Sequence, residues 1–158
     1  AFSPFIYTNS KPNLDAEKEV NARFVDFQTL LAESDVISVH SSLNNHTKGI
    51  FNKEAFERMK PTSIFINTSR GMVHNESDLI EALQNNTIWG AGLDVTNPEP
   101  MLPNNPLLEM ENVCVLPHIG SATVEARNEM ARLAANNIIE YYNNGTIPHI
   151  VNPDALRK

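Results

Sequence analysis

Arg70, Glu99 and His118 are side chains whose types combine into a reaction. A histidine can give a proton to a carbonyl oxygen as hydride arrives at the carbonyl carbon. A carboxylate beside it would orient the imidazole and stabilise the imidazolium. An arginine can hold a substrate carboxylate through two parallel hydrogen bonds and polarise the carbonyl next to it. Spacing alone leaves the alternative open that all three are ordinary loop residues.

What gives the three residues weight is where the surrounding elements place them. Apolar runs alternate with amphipathic stretches along the chain. Strands are predicted at Phe2 to Thr8, Asp35 to His40, Ser63 to Asn67, Ile88 to Val95 and Val113 to Leu116. Helices are predicted from an Asn13 cap to about Arg23, around Leu30 and Leu31, from an Asn52 cap through Lys60, over Asn75 to Asn85, and over Ala122 to Asn144 with Gly145 as C-cap. Ala126, Met130, Leu133, Asn137 and Ile138 form an expected buried stripe on the last helix. Near-continuous apolar strands with helical crossovers imply an α/β, doubly wound, mostly parallel sheet. Such sheets bind ligands outside the carboxyl ends of their strands. The residues at those ends are Thr8, Asn9, Ser10 and Lys11; His40, Ser41, Ser42 and Leu43; Thr68, Ser69, Arg70 and Gly71; Asp94 through Pro100; and Pro117 through Gly120. Arg, Asp, Glu and His thus converge on one predicted edge.

The bulk numbers narrow the classes. The chain has 158 residues, 41% hydrophobic and 20% charged, enough for one domain with a core. A net charge of -7 argues against nucleic acid, which needs clustered Lys and Arg. No apolar run is long enough for a membrane span. A single cysteine forms no internal disulfide; Cys114, between Val113 and Val115, is expected to be a buried thiol. His40, His46, His74 and His149 show no metal-ligand spacing, and no metal is expected. His74 is expected in a surface loop, His40 in a packing or hydrogen-bonding role, and Trp89 and Phe65 in the core. Gly90 and Gly92 within a strand suggest close approach by another backbone or a ligand.

Asn67-Thr68-Ser69-Arg70-Gly71, Gly92-Leu93-Asp94-Val95 with Pro98-Glu99-Pro100, and Leu116-Pro117-His118-Ile119-Gly120-Ser121-Ala122-Thr123 resemble, in order and spacing, the signatures of the D-isomer-specific 2-hydroxyacid dehydrogenases. The resemblance runs from Phe2 to Pro153. It implies a Rossmann-like NAD(P)-binding domain over residues 1–150, with residues 151–158 starting a return to a further catalytic domain. It implies that Arg70 binds the substrate carboxylate and carbonyl, that His118 is the acid/base paired with Glu99, and that Asp94 contacts the carboxamide side of the nicotinamide. Thr68, Ser69, Gly120 and Ser41-Ser42-Leu43 would line the cofactor. Thr96 and the Ile6 to Pro12 turn look most like the branch acting on glyoxylate and hydroxypyruvate.

The same turn bears on the cofactor. Dinucleotide sites that prefer NAD place an acidic residue near this strand end to bond the ribose 2′-hydroxyl. Thr8, Asn9, Ser10 and Lys11 offer none, and Lys11 could offset a 2′-phosphate, so NADPH is expected as the preferred cofactor with NAD possible. The sequence departs from the family pattern in lacking G-x-G-x-x-G, which with its preceding strand would lie upstream of Phe2. The fold is therefore expected to be incomplete, a piece of a longer cytoplasmic, homodimeric protein, with little turnover alone. The competing readings are another short 2-oxo acid as substrate, a dinucleotide-sensing corepressor of the same family, or a non-catalytic truncated product.

Overall fold

In a computed structural model, residues 5–156 are described. Residues 2–4 of the expected first strand lie outside them. The described chain falls into two compact units, the first ending at Pro117 and the second beginning at His118.

The first unit alternates strands and helices: β1 (Phe5–Tyr7), α1 (Leu14–Val20), β2 (Ala22–Phe24), α2 (Phe27–Glu33), β3 (Val36–Val39), α3 (Lys53–Arg58), β4 (Ile64–Asn67), α4 (Glu76–Gln84), β5 (Gly90–Leu93) and β6 (Val113–Val115). Side-chain caps start the helices. Asn13, Asp26, Asn52 and Asn75 each accept a backbone N–H of the following first turn, satisfying donors that a helix cannot satisfy internally.

Among the described residues all strand pairs are parallel, in two sheets. β1 pairs with β2, and β3-β4-β5-β6 form a four-stranded sheet in chain order. Among the described residues β3 is therefore an edge strand, with β4 on one side and Val36 largely exposed. Phe65 on β4 is fully buried and sits at the centre of a ring cluster with Phe51 at 5.0 Å and Phe56 at 5.3 Å between centroids. Leu31, Leu79, Leu83, Ile88 and Leu93 close the core around it.

Several local expectations change. The first helix stops at Val20, not Arg23, because Asn21 turns left-handed at φ 53 and its N–H closes on the Glu17 carbonyl. The residues released form β2, which the sequence reading missed. Among the described residues the five expected strands are six, split between two sheets. Trp89 precedes β5 and is exposed, while Phe65 is core as expected. Cys114 is exposed, since strand alternation sends Val113 and Val115 to the core side and Cys114 to the other. Gly90 does admit another backbone: a Cβ there would stand 2.7 Å from the Asn112 carbonyl oxygen.

The second unit is built on α5 (Val124–Asn144), capped by the Thr123 side chain and ended by Gly145 at φ 67. None of its residues is buried, and Met130 and Ile138 of the expected buried stripe are largely exposed. A single long helix has no facing layer within its own unit. A short 3-10 turn follows at Pro153–Leu156. No helix among the described residues is long and apolar enough to cross a membrane.

Candidate active site

Strand register creates a common edge. Val39, Asn67, Leu93 and Val115 are successive Cα partners across the four-stranded sheet. The ladder runs on as the Asp94 N–H bonds the Asn67 carbonyl at 3.0 Å and the Leu116 N–H bonds the Leu93 carbonyl at 2.8 Å. The segments after β3, β4, β5 and β6 therefore leave the sheet side by side. After β3, His40 bonds Ser38 at 2.9 Å, the hydrogen-bonding one of the two roles expected of it. Ser41 is half-buried, and Ser42 and Leu43 are exposed. The Ser42 carbonyl accepts the Thr47 hydroxyl at 2.6 Å, which closes that loop.

After β4 the chain turns around the side chain of Asn67, which is fully buried. Its Oδ1 accepts the Ser69 backbone N–H and the Ser69 hydroxyl, each at 3.0 Å. Its Nδ2 donates to the Arg70 carbonyl and approaches His74 Nδ1, each at 3.0 Å. Arg70 is exposed, with one guanidinium N–H donated to the Ser69 carbonyl at 2.6 Å. Thr68 is exposed beside it. His74 is buried rather than in a surface loop, packed edge-on to Phe65 at 5.7 Å. Burial pushes its imidazole down to about 4, because a low-dielectric site disfavours the charged form.

After β5, Asp94 and Thr96 are buried and Glu99 is exposed. The Thr96 hydroxyl donates to the Pro98 carbonyl at 2.9 Å. Glu76, in the first turn of α4, accepts the Asn97 N–H at 3.1 Å and the Asn105 amide at 2.6 Å. The Asn97-Pro98 and Glu99-Pro100 bonds are cis. A Cβ on Gly71 would fall on the Thr96 carbonyl, so the segments carrying Arg70 and Glu99 meet backbone to backbone. That contact brings two of the three expected catalytic positions onto neighbouring loops of one unit.

His118 and Gly120 open the second unit. His118 is exposed and left-handed at φ 55, an uncommon state for a residue with a Cβ. The Ala122 N–H returns to the Ile119 carbonyl at 2.9 Å just before the Thr123 cap.

The turn after β1 keeps Thr8, Asn9, Ser10 and Lys11 all exposed. Asn9 Oδ1 accepts the Ser10 N–H at 2.8 Å. The Tyr7 hydroxyl accepts the Asn13 N–H at 2.6 Å and donates to Glu17 at 2.7 Å, tying the turn to α1. Sequence reasoning missed Tyr7, Glu76, His74 and the hub role of Asn67. Asn67 gave a signal as an amide ending an apolar strand, and His74 one by its place just after Arg70-Gly71, though it was expected in a surface loop.

The model of the D-isomer specific 2-hydroxyacid dehydrogenase, NAD binding domain, matches residues 3–120. The chain is 50% identical over 135 residues to the glyoxylate reductase/hydroxypyruvate reductase of Mus musculus, covering 85% of this chain and 41% of that protein. It is 45% identical over 154 residues to glyoxylate/hydroxypyruvate reductase B of Cronobacter sakazakii, covering 98% of this chain and 48% of that protein. The crystal structure of D-lactate dehydrogenase with NAD+ from Lactobacillus jensenii superposes with a TM-score of 0.88 at 28% identity, over 94% of this chain and 48% of that one. The chain thus spans under half the length of these relatives. With a parallel α/β sheet, a motif-bearing carboxyl edge and a family match over most of its residues, the chain belongs to the D-isomer specific 2-hydroxyacid dehydrogenases and carries their NAD binding domain.

Proposed function

We propose that the protein carrying this chain reduces glyoxylate or hydroxypyruvate to the D-2-hydroxy acid with a nicotinamide cofactor, residues 1–150 being part of its NAD(P)-binding domain and 151–158 the start of the return to a catalytic domain. The observation that carries the reading is the backbone contact of Gly71 with Thr96, which sets the Arg70 and Glu99 loops together at the carboxyl edge of a parallel sheet. The identities to glyoxylate/hydroxypyruvate reductases support the choice of substrate.

The donor set fits a dinucleotide. The turn after β1 presents two hydroxyls, an amide and the Lys11 ammonium, all exposed and without a carboxylate among them. That chemistry suits a ribose carrying a 2′-phosphate, so NADPH is the preferred form and NADH the weaker one. Ser41, Ser42, Leu43, Thr68, Ser69, Asp94 and Gly120 would complete the cofactor's surroundings. The reduced nicotinamide, when bound, supplies a hydride. Arg70 holds the carboxylate of the 2-oxo acid and draws charge onto its carbonyl oxygen. His118 delivers a proton to that oxygen, with Glu99 as the carboxylate that steadies the imidazolium. The assembled protein is a cytoplasmic homodimer in this reading.

The test is steady-state reduction of hydroxypyruvate and glyoxylate by the full-length protein, with NADPH and NADH in parallel, beside His118→Ala and Lys11→Asp. Wild type turns over, His118→Ala loses roughly 100-fold or more in kcat, and Lys11→Asp moves the preference toward NADH. Binding of cofactor without turnover of either substrate would favour a dinucleotide sensor or a different 2-oxo acid.

A further inference from the structure

Asn67 has fixed orientation. The Ser69 backbone N–H can only donate, so the atom facing it is Oδ1; the Arg70 carbonyl can only accept, so the atom facing it is Nδ2. Nδ2 also lies 3.0 Å from His74 Nδ1, which must then be an acceptor. His74 is therefore neutral with its proton on Nε2, consistent with an imidazole whose burial disfavours charge. That Nε2–H is buried and has no partner among the described residues. An apolar side chain at this position would pack on Phe65 without an unpaired donor. The imidazole thus costs stability through one nitrogen and supplies a single bond through the other. That bond ends on the amide that holds the Arg70 carbonyl.

We propose that His74 is a positioning residue: its Nδ1 fixes the Asn67 amide, which fixes the backbone of Arg70, and so holds the guanidinium where the substrate carboxylate arrives. The proposal rests on the reading of Arg70 given above. The path is short, from His74 Nδ1 to Asn67 Nδ2 to the Arg70 carbonyl, and every group on it but Arg70 itself is buried or half-buried. With His74 in place, both hydrogens of the Asn67 amide are used and the side chain has one orientation. Without it, one hydrogen of the amide is unpaired in the core, and the Nδ2 side that holds the Arg70 carbonyl loses its second anchor while Oδ1 keeps both Ser69 bonds. Because misplacement of a binding group by a fraction of its length is felt in the reaction, the effect falls on the 2-oxo acid and not on the dinucleotide.

The experiment compares His74→Leu, His74→Asn and Arg70→Ala in the full-length protein, reading KM for hydroxypyruvate, KM for NADPH and the thermal midpoint. Asn is chosen because its Oδ1 occupies the position of Nδ1. The expected result is a rise of about tenfold in KM for hydroxypyruvate in His74→Leu, with KM for NADPH unchanged and the midpoint close to wild type, and recovery of KM toward wild type in His74→Asn. An unchanged KM in His74→Leu beside a raised KM in Arg70→Ala overturns the role of His74 and leaves that of Arg70 standing. An unchanged KM in Arg70→Ala overturns both. Nitrogen NMR of the 15N-histidine-labelled wild type gives a reading that depends on no variant: a neutral Nε2–H tautomer for His74 is expected, and an Nδ1–H tautomer overturns the proposal.

Discussion

His74 binds protons differently in the folded and unfolded chain. Folded, its pKa is lowered to about 4 by burial; unfolded, it returns to the ordinary value near 6.5. Between those values the unfolded state holds a proton that the folded state does not, so stability falls as pH falls through that window and the loss is complete below about 4. The loss is on the order of 3 kcal/mol at its limit. Unfolding by urea from pH 7 down to pH 4 should therefore show a steeper acid-side decline in wild type than in His74→Leu. Parallel profiles for the two proteins would remove His74 from that decline. At this scale the sequence showed chemistry better than environment. Arg70, Glu99 and His118 stand out by type and by the motifs around them. The burial of His74 and the exposure of Trp89 and Cys114 depend on which face of a strand or loop meets the core, which one residue of register decides.

At the scale of elements, caps and breakers were legible because their physics is local. Asn13, Asn52 and Gly145 stand where the sequence puts them, since each satisfies backbone groups within a few residues of itself. β2 was not legible: three residues beside a three-residue partner carry no periodicity, and only the long-range pairing with β1 defines them. The contact between Gly71 and Thr96 belongs to the same class, invisible until two loops far apart in sequence are brought together. It carries a sharp expectation. Gly71→Ala must push the Arg70 loop off the Thr96 carbonyl, because the added methyl has no free volume. Forcing atoms into a packed site costs about 1–3 kcal/mol, and here the displacement reaches both the Arg70 and the Glu99 loops. Thermal unfolding and turnover of the full-length variant should both fall. Retention of both at wild-type level would show that the loops move apart without consequence.

For the molecule as a whole, family membership and the parallel architecture were readable from the order of motifs, because a crossover fold places strand ends at one edge whatever the details between. The division into two sheets was not, since apolar runs reveal strands but not which strands pair. Among the described residues that division leaves β3 with backbone donors and acceptors on its outer side, at Val36 and Ser38. Such groups are a template on which another copy can add a strand, and a strand of Val, Ile and Ser with no charge in it does nothing to discourage that. Produced by itself, this chain should pass into insoluble material as concentration rises, by edge-to-edge growth rather than by loss of its core. Val36→Lys, on the exposed face of that strand, should then raise the yield of monomer in size-exclusion chromatography; an unaltered yield would direct attention to some other sticky surface. The strand that leads into Ser41 and Ser42, proposed above to line the cofactor, is thus also where recombinant solubility would be decided.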